Sequence, residues 1–232
     1  MFSFVVDFSP EFTPQTPLLL LILIGLEAVL SADNAIALAA IAQGLEDKKL
    51  QSYALNVGLV LAYVLRVVLI ITASWIIQFW QFEVLGAAYL LWLVLNYFLS
   101  PEDEQKRHHA LRFKSLWQAI PAIALTDLAF SLDSVTAAIA VSDQLWLIII
   151  GGTIGIILLR FLAGLFIRLL DQYVHLEDAG FITVGLVGVR LLFRVVNPEW
   201  NQPEWLMTAA VIAIFIWGFS KRTQPETVEG ED

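Results

Sequence analysis

The sequence predicts an all-α membrane protein whose seven transmembrane helices form an inverted repeat of two three-helix units plus a seventh helix. Three observations support this fold class. Of the 232 residues, 59% are hydrophobic and only 15% are charged, and the mean hydropathy is +0.76. Seven apolar segments follow one another, and a polar motif in the first recurs in the fourth. A soluble domain of this length would be less apolar.

A helix needs roughly 20 residues to cross a bilayer, and each apolar segment is a candidate for one crossing. The segments are Pro17–Gln43, Tyr53–Ile77, Val84–Leu99, Leu116–Val141, Leu145–Leu169, Ala179–Val196 and Trp205–Phe219. We therefore interpret residues 1–232 as one transmembrane domain. It divides into a first repeat (17–99), a loop (100–115), a second repeat (116–196), an extra helix (205–219) and an acidic tail (220–232).

Basic residues alternate between the connections and predict the orientation. They occur in the first, third and fifth connections and after the last segment: Lys48, Lys49, Lys106, Arg107, Arg112, Lys114, Arg168, Lys221 and Arg222. Because Lys and Arg are enriched on the cytoplasmic side, we expect the N-terminus outside and the C-terminus in the cytoplasm. The expected location is the plasma or inner membrane, with the thylakoid membrane as the alternative.

The main functional signal is a pair of polar motifs within apolar segments. The first contains Glu27, Ser31, Asp33 and Asn34, and the second, 100 residues later, contains Asp127, Ser131, Asp133 and Ser134. An ionised side chain at the membrane centre costs about 2.5 to 3.5 kcal/mol, so intramembrane acids indicate function. We interpret the two motifs as one ion site that is built twice.

Further residues recur at an offset of 94. The pairs are Gly58 and Gly152, Arg66 and Arg160, Glu83 and Glu177, Gly86 and Gly180, and Asn96 and Arg190. Because each unit crosses the membrane three times, the two copies have opposite orientations. Many secondary transporters are built in this way, with ion sites where the halves meet.

Helical spacing restricts how one motif can form a site. Glu27, Ser31 and Asn34 share one helical face, whereas Asp33 lies about 120° away, and the second motif repeats this arrangement. Either the aspartates face a neighbouring helix or both helices are interrupted at the motif. We favour interruption, because both strings resemble N-cap sequences and unwound backbone is tolerated where it lines a cavity.

Two arginines fall within apolar segments and need partners. Arg66 and Arg160 lie near the centres of the second and fifth segments, so we expect each to face carboxylates or the cavity. Four acids and two arginines leave two negative charges, which one divalent cation would neutralise, although Arg190 complicates this balance. The alternative is that both arginines only join helices through Asp33 and Asp133.

The available ligands narrow the choice of ion. The motifs offer carboxylate, amide, hydroxyl and backbone oxygen, and the chain has no cysteine. Oxygen-rich sites favour manganese, magnesium or calcium over zinc, copper and nickel. The residue types do not choose among these three ions.

The two acidic motifs, each followed by small residues within a seven-segment chain, resemble those of the TerC family of integral membrane proteins, often labelled tellurium resistance. The resemblance extends from about Pro17 to Phe219. It implies membership of the broad LysE-like transporter superfamily and, by analogy with bacterial relatives, manganese efflux. It also implies alternatives, because plant relatives are linked to thylakoid membrane biogenesis and the tellurite label describes a phenotype.

The resulting hypothesis is a secondary transporter that exports a divalent cation, foremost Mn²⁺, by proton antiport. The expected metal ligands are Glu27, Asp33, Asn34, Asp127, Asp133 and Ser134, supported by Arg66, Arg160, Ser31 and Ser131. We expect the cation and the lipid bilayer as partners, and no nucleic acid, no permanently bound cofactor and no enzymatic activity. The alternatives are a membrane-assembly or tellurite-resistance factor and an intramembrane aspartyl protease with an Asp33–Asp133 dyad.

Overall fold

A computed structural model describes residues 12–76, 78–99, 113, 115–197 and 204–223. These residues form seven α-helices: α1 (Thr16–Gln43), α2 (Lys48–Ile76), α3 (Trp80–Leu99), α4 (Leu116–Val141), α5 (Leu145–Leu170), α6 (Leu176–Val196) and α7 (Glu204–Gly218). The seven predicted helices are therefore confirmed. The second, third and sixth begin earlier than predicted, because Lys48, Trp80 and Leu176 extend the helices beyond their apolar segments.

Six of these helices, α1 to α6, are long and apolar enough to span a membrane. The seventh has 15 residues, which is shorter than the roughly 20 that a perpendicular span requires. The chain is thus a multi-pass integral membrane protein. The basic residues of the predicted loop (Lys106, Arg107, Arg112 and Lys114) and the acidic tail from Gln224 onward lie outside the described residues.

Helix pairing crosses between the two halves of the chain. The main partner of α1 is α5, that of α2 is α4, and that of α3 is α6, while α7 packs against α6. On α1, every side chain from Ala35 to Ala42 is buried, and five of these eight residues are alanines. Small side chains let neighbouring helices approach closely, as the alanine pattern predicts.

An ion pair and two backbone hydrogen bonds place the first, third and fifth connections and the end of α7 at one end of the helix bundle. Lys48 forms an ion pair of 3.1 Å with Asp171, the Phe113 amide donates to the Gly44 carbonyl at 3.0 Å, and the Val174 amide donates to the Lys221 carbonyl at 3.0 Å. We call this end the basic end, because Lys48, Lys221 and Arg222 lie there. At the opposite end, Phe12 contacts Trp146 with ring centroids 5.3 Å apart.

Two apolar clusters fill the bundle. The larger lies toward the basic end and includes Ile36, Leu38, Leu55 and Ile123. The smaller lies toward the opposite end and includes Leu23, Ile70, Val135 and Leu147. On α1 the acidic motif falls between the residues of these two clusters, and on α4 it overlaps the end of the larger cluster at Phe130 and stops before the smaller one begins at Val135. The fold therefore positions Glu27, Arg66 and Asp127 in a polar layer near the middle of the bundle.

Candidate functional site

The polar layer contains three buried charged side chains. Glu27 on α1 is 5% exposed, Arg66 on α2 is 3% exposed, and Asp127 on α4 is fully buried. Asn34, Ser31, Ser131 and Ser134 are buried as well. Charged groups this far from water persist only when they are paired and hydrogen-bonded.

Arg66 joins the two acids. Its Nη1 donates to Glu27 Oε2 at 2.8 Å, and its Nη2 donates to Asp127 Oδ1 at 3.3 Å and Oδ2 at 3.4 Å. The Asn34 side-chain amide also donates to Asp127 Oδ1, at 2.9 Å. Glu27, Asn34, Arg66 and Asp127, from three helices, form what we call the buried cluster. The guanidinium stands between two carboxylates that would otherwise repel each other.

Two polar atoms of the buried cluster lack partners. Among the described residues, Asn34 Oδ1 and Arg66 Nε are buried and accept or donate no hydrogen bond. Native proteins leave few such groups, and each indicates strain, function or a missing ligand. The Asn34 Oδ1 atom is therefore available to coordinate a cation.

The serines of the second motif are bonded locally. Ser131 Oγ donates to the Asp127 carbonyl at 2.7 Å and lies 3.3 Å from Asp127 Oδ2. Ser134 Oγ donates to the Ser131 carbonyl at 3.4 Å. Ser131 thus supports the Asp127 carboxylate, whereas Ser134 is bonded to its own helix.

Two glycines on α5 line the buried cluster at different distances. A Cβ at Gly155 would lie 2.7 Å from Glu27 Oε2 and 3.1 Å from Glu27 Cβ. A Cβ at Gly152, less than one turn away, would be 3.6 Å from Arg66 Cδ, which is an ordinary contact. Glycine at position 155 is what allows the Glu27 carboxylate to lie against α5.

The remaining predicted acids form a second group. Asp133 on α4 accepts hydrogen bonds from Arg190 Nη1 at 2.9 Å and from Arg194 Nη1 at 2.7 Å, both on α6. Asp33 is close enough to Asp133 and Arg190 for electrostatic interaction. We call Asp33, Asp133, Arg190 and Arg194 the outer cluster, because its paired side chains are 15% to 41% exposed.

Two geometric predictions are wrong. The four acids do not converge on one ion, and no group of three Asp, Glu or His side chains in the described part of the chain is placed to hold a metal. The helices are not interrupted at the motifs, since α1 and α4 run unbroken through them. Because the helices stay regular, Asp33 and Asp133 project away from the face that carries Glu27 and Asp127.

The predicted role of Arg160 is also wrong. Its Nε donates to Asn56 Oδ1 and its Nη2 donates to Ser52 Oγ at 3.3 Å, so it faces the outer surface and bonds no carboxylate of the motifs. The sequence prediction omitted Arg194, although Arg190 and Arg194 are spaced four residues apart and must share a helical face. That spacing was the available signal for a partner to Asp133.

The fold and this charge layer define a class, namely multi-pass helical membrane proteins with a buried ion-paired site. Residues 12–225 match the family described as "Integral membrane protein TerC family", and the chain belongs to that family. The predicted family resemblance is thus confirmed. No solved structure matches the chain.

Several bacterial membrane proteins are similar in sequence. YceF of Bacillus subtilis, an "uncharacterized membrane protein", is 36% identical over 200 residues, covering 83% of this chain and 77% of YceF. YkoY of the same species is 32% identical over 245 residues, covering 91% and 75%. The Escherichia coli inner membrane protein YgdQ is 26% identical over 184 residues, covering 73% and 77%.

Proposed function

We propose that this chain is a secondary transporter that exports a divalent metal cation, foremost Mn²⁺, from the cytoplasm by proton antiport. The buried cluster is the observation that carries the proposal. Two carboxylates and an amide oxygen without a hydrogen-bond partner lie at mid-membrane depth between two apolar clusters. Polar groups that only pack helices rarely include two acids at one point, because intramembrane carboxylates are costly.

The donor chemistry favours a hard cation. Glu27, Asp127, Asn34 Oδ1 and the neighbouring Ser131 hydroxyl supply oxygen ligands, and the chain has no cysteine. Such sites suit Mn²⁺, Mg²⁺ and Ca²⁺, and a thiolate-preferring ion would find no soft ligand. This chemistry supports the class of cation, while the choice of Mn²⁺ follows the family analogy.

Arg66 is the internal competitor of the transported ion. Glu27 and Asp127 carry two negative charges, and Arg66 supplies one positive charge at 2.8 Å from Glu27. A divalent cation would match both negative charges, so it binds when the guanidinium withdraws and is released when the guanidinium returns. Protonation of a carboxylate would likewise favour release, which is the basis of the proposed proton coupling.

Within this proposal, Asp133 and its arginines in the outer cluster form the route from this site. Asp133 and Ser134 follow Asp127 along α4 away from the basic end, whereas Asp33 follows Glu27 along α1 toward it, and Asp133 is partly exposed. Arg190 and Arg194 lie in the half of α6 that points away from the basic end. We therefore place Asp133 and its arginines at the exit to the extracytoplasmic side, with the basic end in the cytoplasm of the plasma or inner membrane.

An inverted repeat within the LysE-like superfamily is part of the proposal. If α1 to α3 correspond to α4 to α6, the pairing of α1 with α5 is equivalent to that of α4 with α2. In the same way, Gly86 of α3 packs against α4, and Gly180 of α6 packs against α1. In this arrangement α7 is a seventh, short span appended to the second unit.

One observation favours a second candidate, a membrane-assembly or tellurite-resistance factor without transport. Arg66 bonds both carboxylates of the buried cluster, as an ion pair that only specifies helix packing would do. An aspartyl-protease dyad has less support, because both oxygens of Asp133 accept hydrogen bonds from arginines. Two catalytic aspartates would instead share a proton.

Transport by the purified protein tests the proposal. In liposomes that enclose a Mn²⁺-sensitive dye, we expect the parent protein to admit Mn²⁺, and a proton gradient to change the rate. Glu27→Gln and Asp127→Asn should lower the initial rate by about tenfold or more, the equivalent of about 1.4 kcal/mol of activation free energy. Asp33→Asn and Asp133→Asn should lower it as well.

Asp171→Asn is the matched control. It makes the same chemical change at an exposed acid that pairs with Lys48 at the basic end, so the flux should equal that of the parent. If Glu27→Gln and Asp127→Asn, inserted at parental levels, transport Mn²⁺ as fast as the parent, the transporter proposal fails and the assembly factor is favoured.

A further inference from the structure

A groove of about 560 Å³ runs along the outside of the bundle between α2 and α5. Most of its lining is apolar, including Val60, Ile157 and Phe161, which are 52% to 71% exposed. Its centre is closed by a hydrogen bond of 2.9 Å between Tyr63 and Thr153. The groove is distinct from the buried cluster, which lies on the inner faces of these helices.

One end of the groove is cationic. Arg160 donates hydrogen bonds to Asn56 and Ser52 across the groove from α5 to α2. Neither partner is charged, so these hydrogen bonds do not neutralise the guanidinium. Asn56 and Ser52 are themselves exposed on the outer surface of α2. A cation with neutral partners on a lipid-facing surface is costly unless an anion is supplied from outside.

The depth of this cationic end matches a headgroup. Ser52 and Asn56 lie about 6 and 12 Å along α2 from Lys48, at about 1.5 Å per residue. The 29 residues of α2 exceed the hydrocarbon core of about 30 Å, so its first turns extend into the polar region of the bilayer. The Arg160 guanidinium, bonded to Ser52 and Asn56, therefore lies at the boundary between the hydrocarbon core and the headgroups of the leaflet at the basic end.

We propose that the groove between α2 and α5 binds an anionic phospholipid, with its phosphate on Arg160 and an acyl chain along Val60, Ile157 and Phe161. Arg binds phosphate through several parallel hydrogen bonds, and Asn56 and Ser52 add polar contacts to the headgroup. Basic pockets between transmembrane helices are known to select such headgroups. The site is independent of the proposed transport function.

Lipid binding to the purified full-length chain tests this site. We would measure the retention of phosphatidylglycerol and of phosphatidylcholine with identical acyl chains by native mass spectrometry. The parent should prefer the anionic lipid by about fivefold, the effect of one basic residue near the membrane surface. Arg160→Gln should abolish the preference, Arg160→Lys should retain part of it, and excess inorganic phosphate should not compete.

Control variants test separately the position of the charge, the apolar part of the groove and the identity of the occupant. Arg168→Gln removes the same charge from α5 outside the groove and should leave the preference intact, whereas Val60→Trp fills the apolar part and should lower retention of both lipids. Equal preference in the parent and Arg160→Gln would overturn the proposal, as would competition by phosphate alone. Efficient disulfide formation by Phe161→Cys in membranes would also overturn it, because a second copy would then cover the groove.

Discussion

Arg66 and Arg160 recur in the sequence at an offset of 94 residues, yet their surroundings differ completely. Arg66 is buried and bonds Glu27 and Asp127, whereas Arg160 faces the outer groove and bonds two neutral side chains. Glu27 and Asp127 belong to different halves but share one guanidinium. Glu27 and Asp127 therefore both pair with Arg66, and neither carboxylate is left to pair with Arg160.

The two charge clusters differ in the same way. The buried cluster has exposures of 6% or less for its paired side chains, while the outer cluster has values of 15% to 41%. The outer pairs are partly exposed, whereas the inner pairs are enclosed by protein on all sides. Mutations should therefore have large effects on stability in the buried cluster and small effects on stability in the outer cluster.

Arg66→Ala should have the largest effect on stability. It leaves two carboxylates buried without a counter-charge, which costs about 3 to 5 kcal/mol. We expect little folded protein in the membrane and a clear drop in the melting temperature of the detergent-solubilised chain. Arg160→Ala is the comparison, and it should change stability by less than about 1 kcal/mol. Equal losses of stability in Arg66→Ala and Arg160→Ala would contradict the conclusion that only Arg66 pairs with buried carboxylates.

Gly155→Ala should lower stability by an intermediate amount and should mainly lower the rate of Mn²⁺ transport. The new methyl group meets the Glu27 carboxylate and should cost about 1 to 3 kcal/mol through overpacking. We expect the Mn²⁺ flux into liposomes to fall, because Glu27 is displaced from Arg66.

Gly152→Ala is the matched substitution, since both changes add the same methyl group and the same gain in helix propensity on α5. Its methyl group makes only ordinary contacts with Arg66 and Ile70, so flux and melting temperature should stay near the parental values. If both variants transport equally well, close contact between Gly155 and Glu27 is unimportant for function.

Arg194→Gln should have the smallest effect. Its side chain is 41% exposed and Arg190 remains on the other oxygen of Asp133, so the loss of stability should be below about 1 kcal/mol. Arg190→Gln, at the less exposed position, should cost slightly more. Thermal unfolding of both variants in one detergent measures which variant loses more stability. A loss as large as that of Arg66→Ala would contradict the view that the outer ion pairs contribute little to stability.

The sequence alone determined the helices and the family. Apolar segments of sufficient length and the alternation of basic residues predicted seven helices, because hydrophobic transfer depends on composition and length. The acidic motifs indicated the polar layer, since charges are rare within such segments. These properties are local along the chain, so they need no knowledge of which helix packs against which.

Only the tertiary structure decided the partners. Because α1 packs on α5 and α2 packs on α4, Arg66 reaches Glu27 and Asp127 while Arg160 faces outward. Unbroken helices then separate Asp33 and Asp133 from the buried cluster and bring Asp133 to Arg190 and Arg194. Internal offsets in a sequence predict which positions correspond, but the interhelical packing determines which of two such side chains reaches a shared partner.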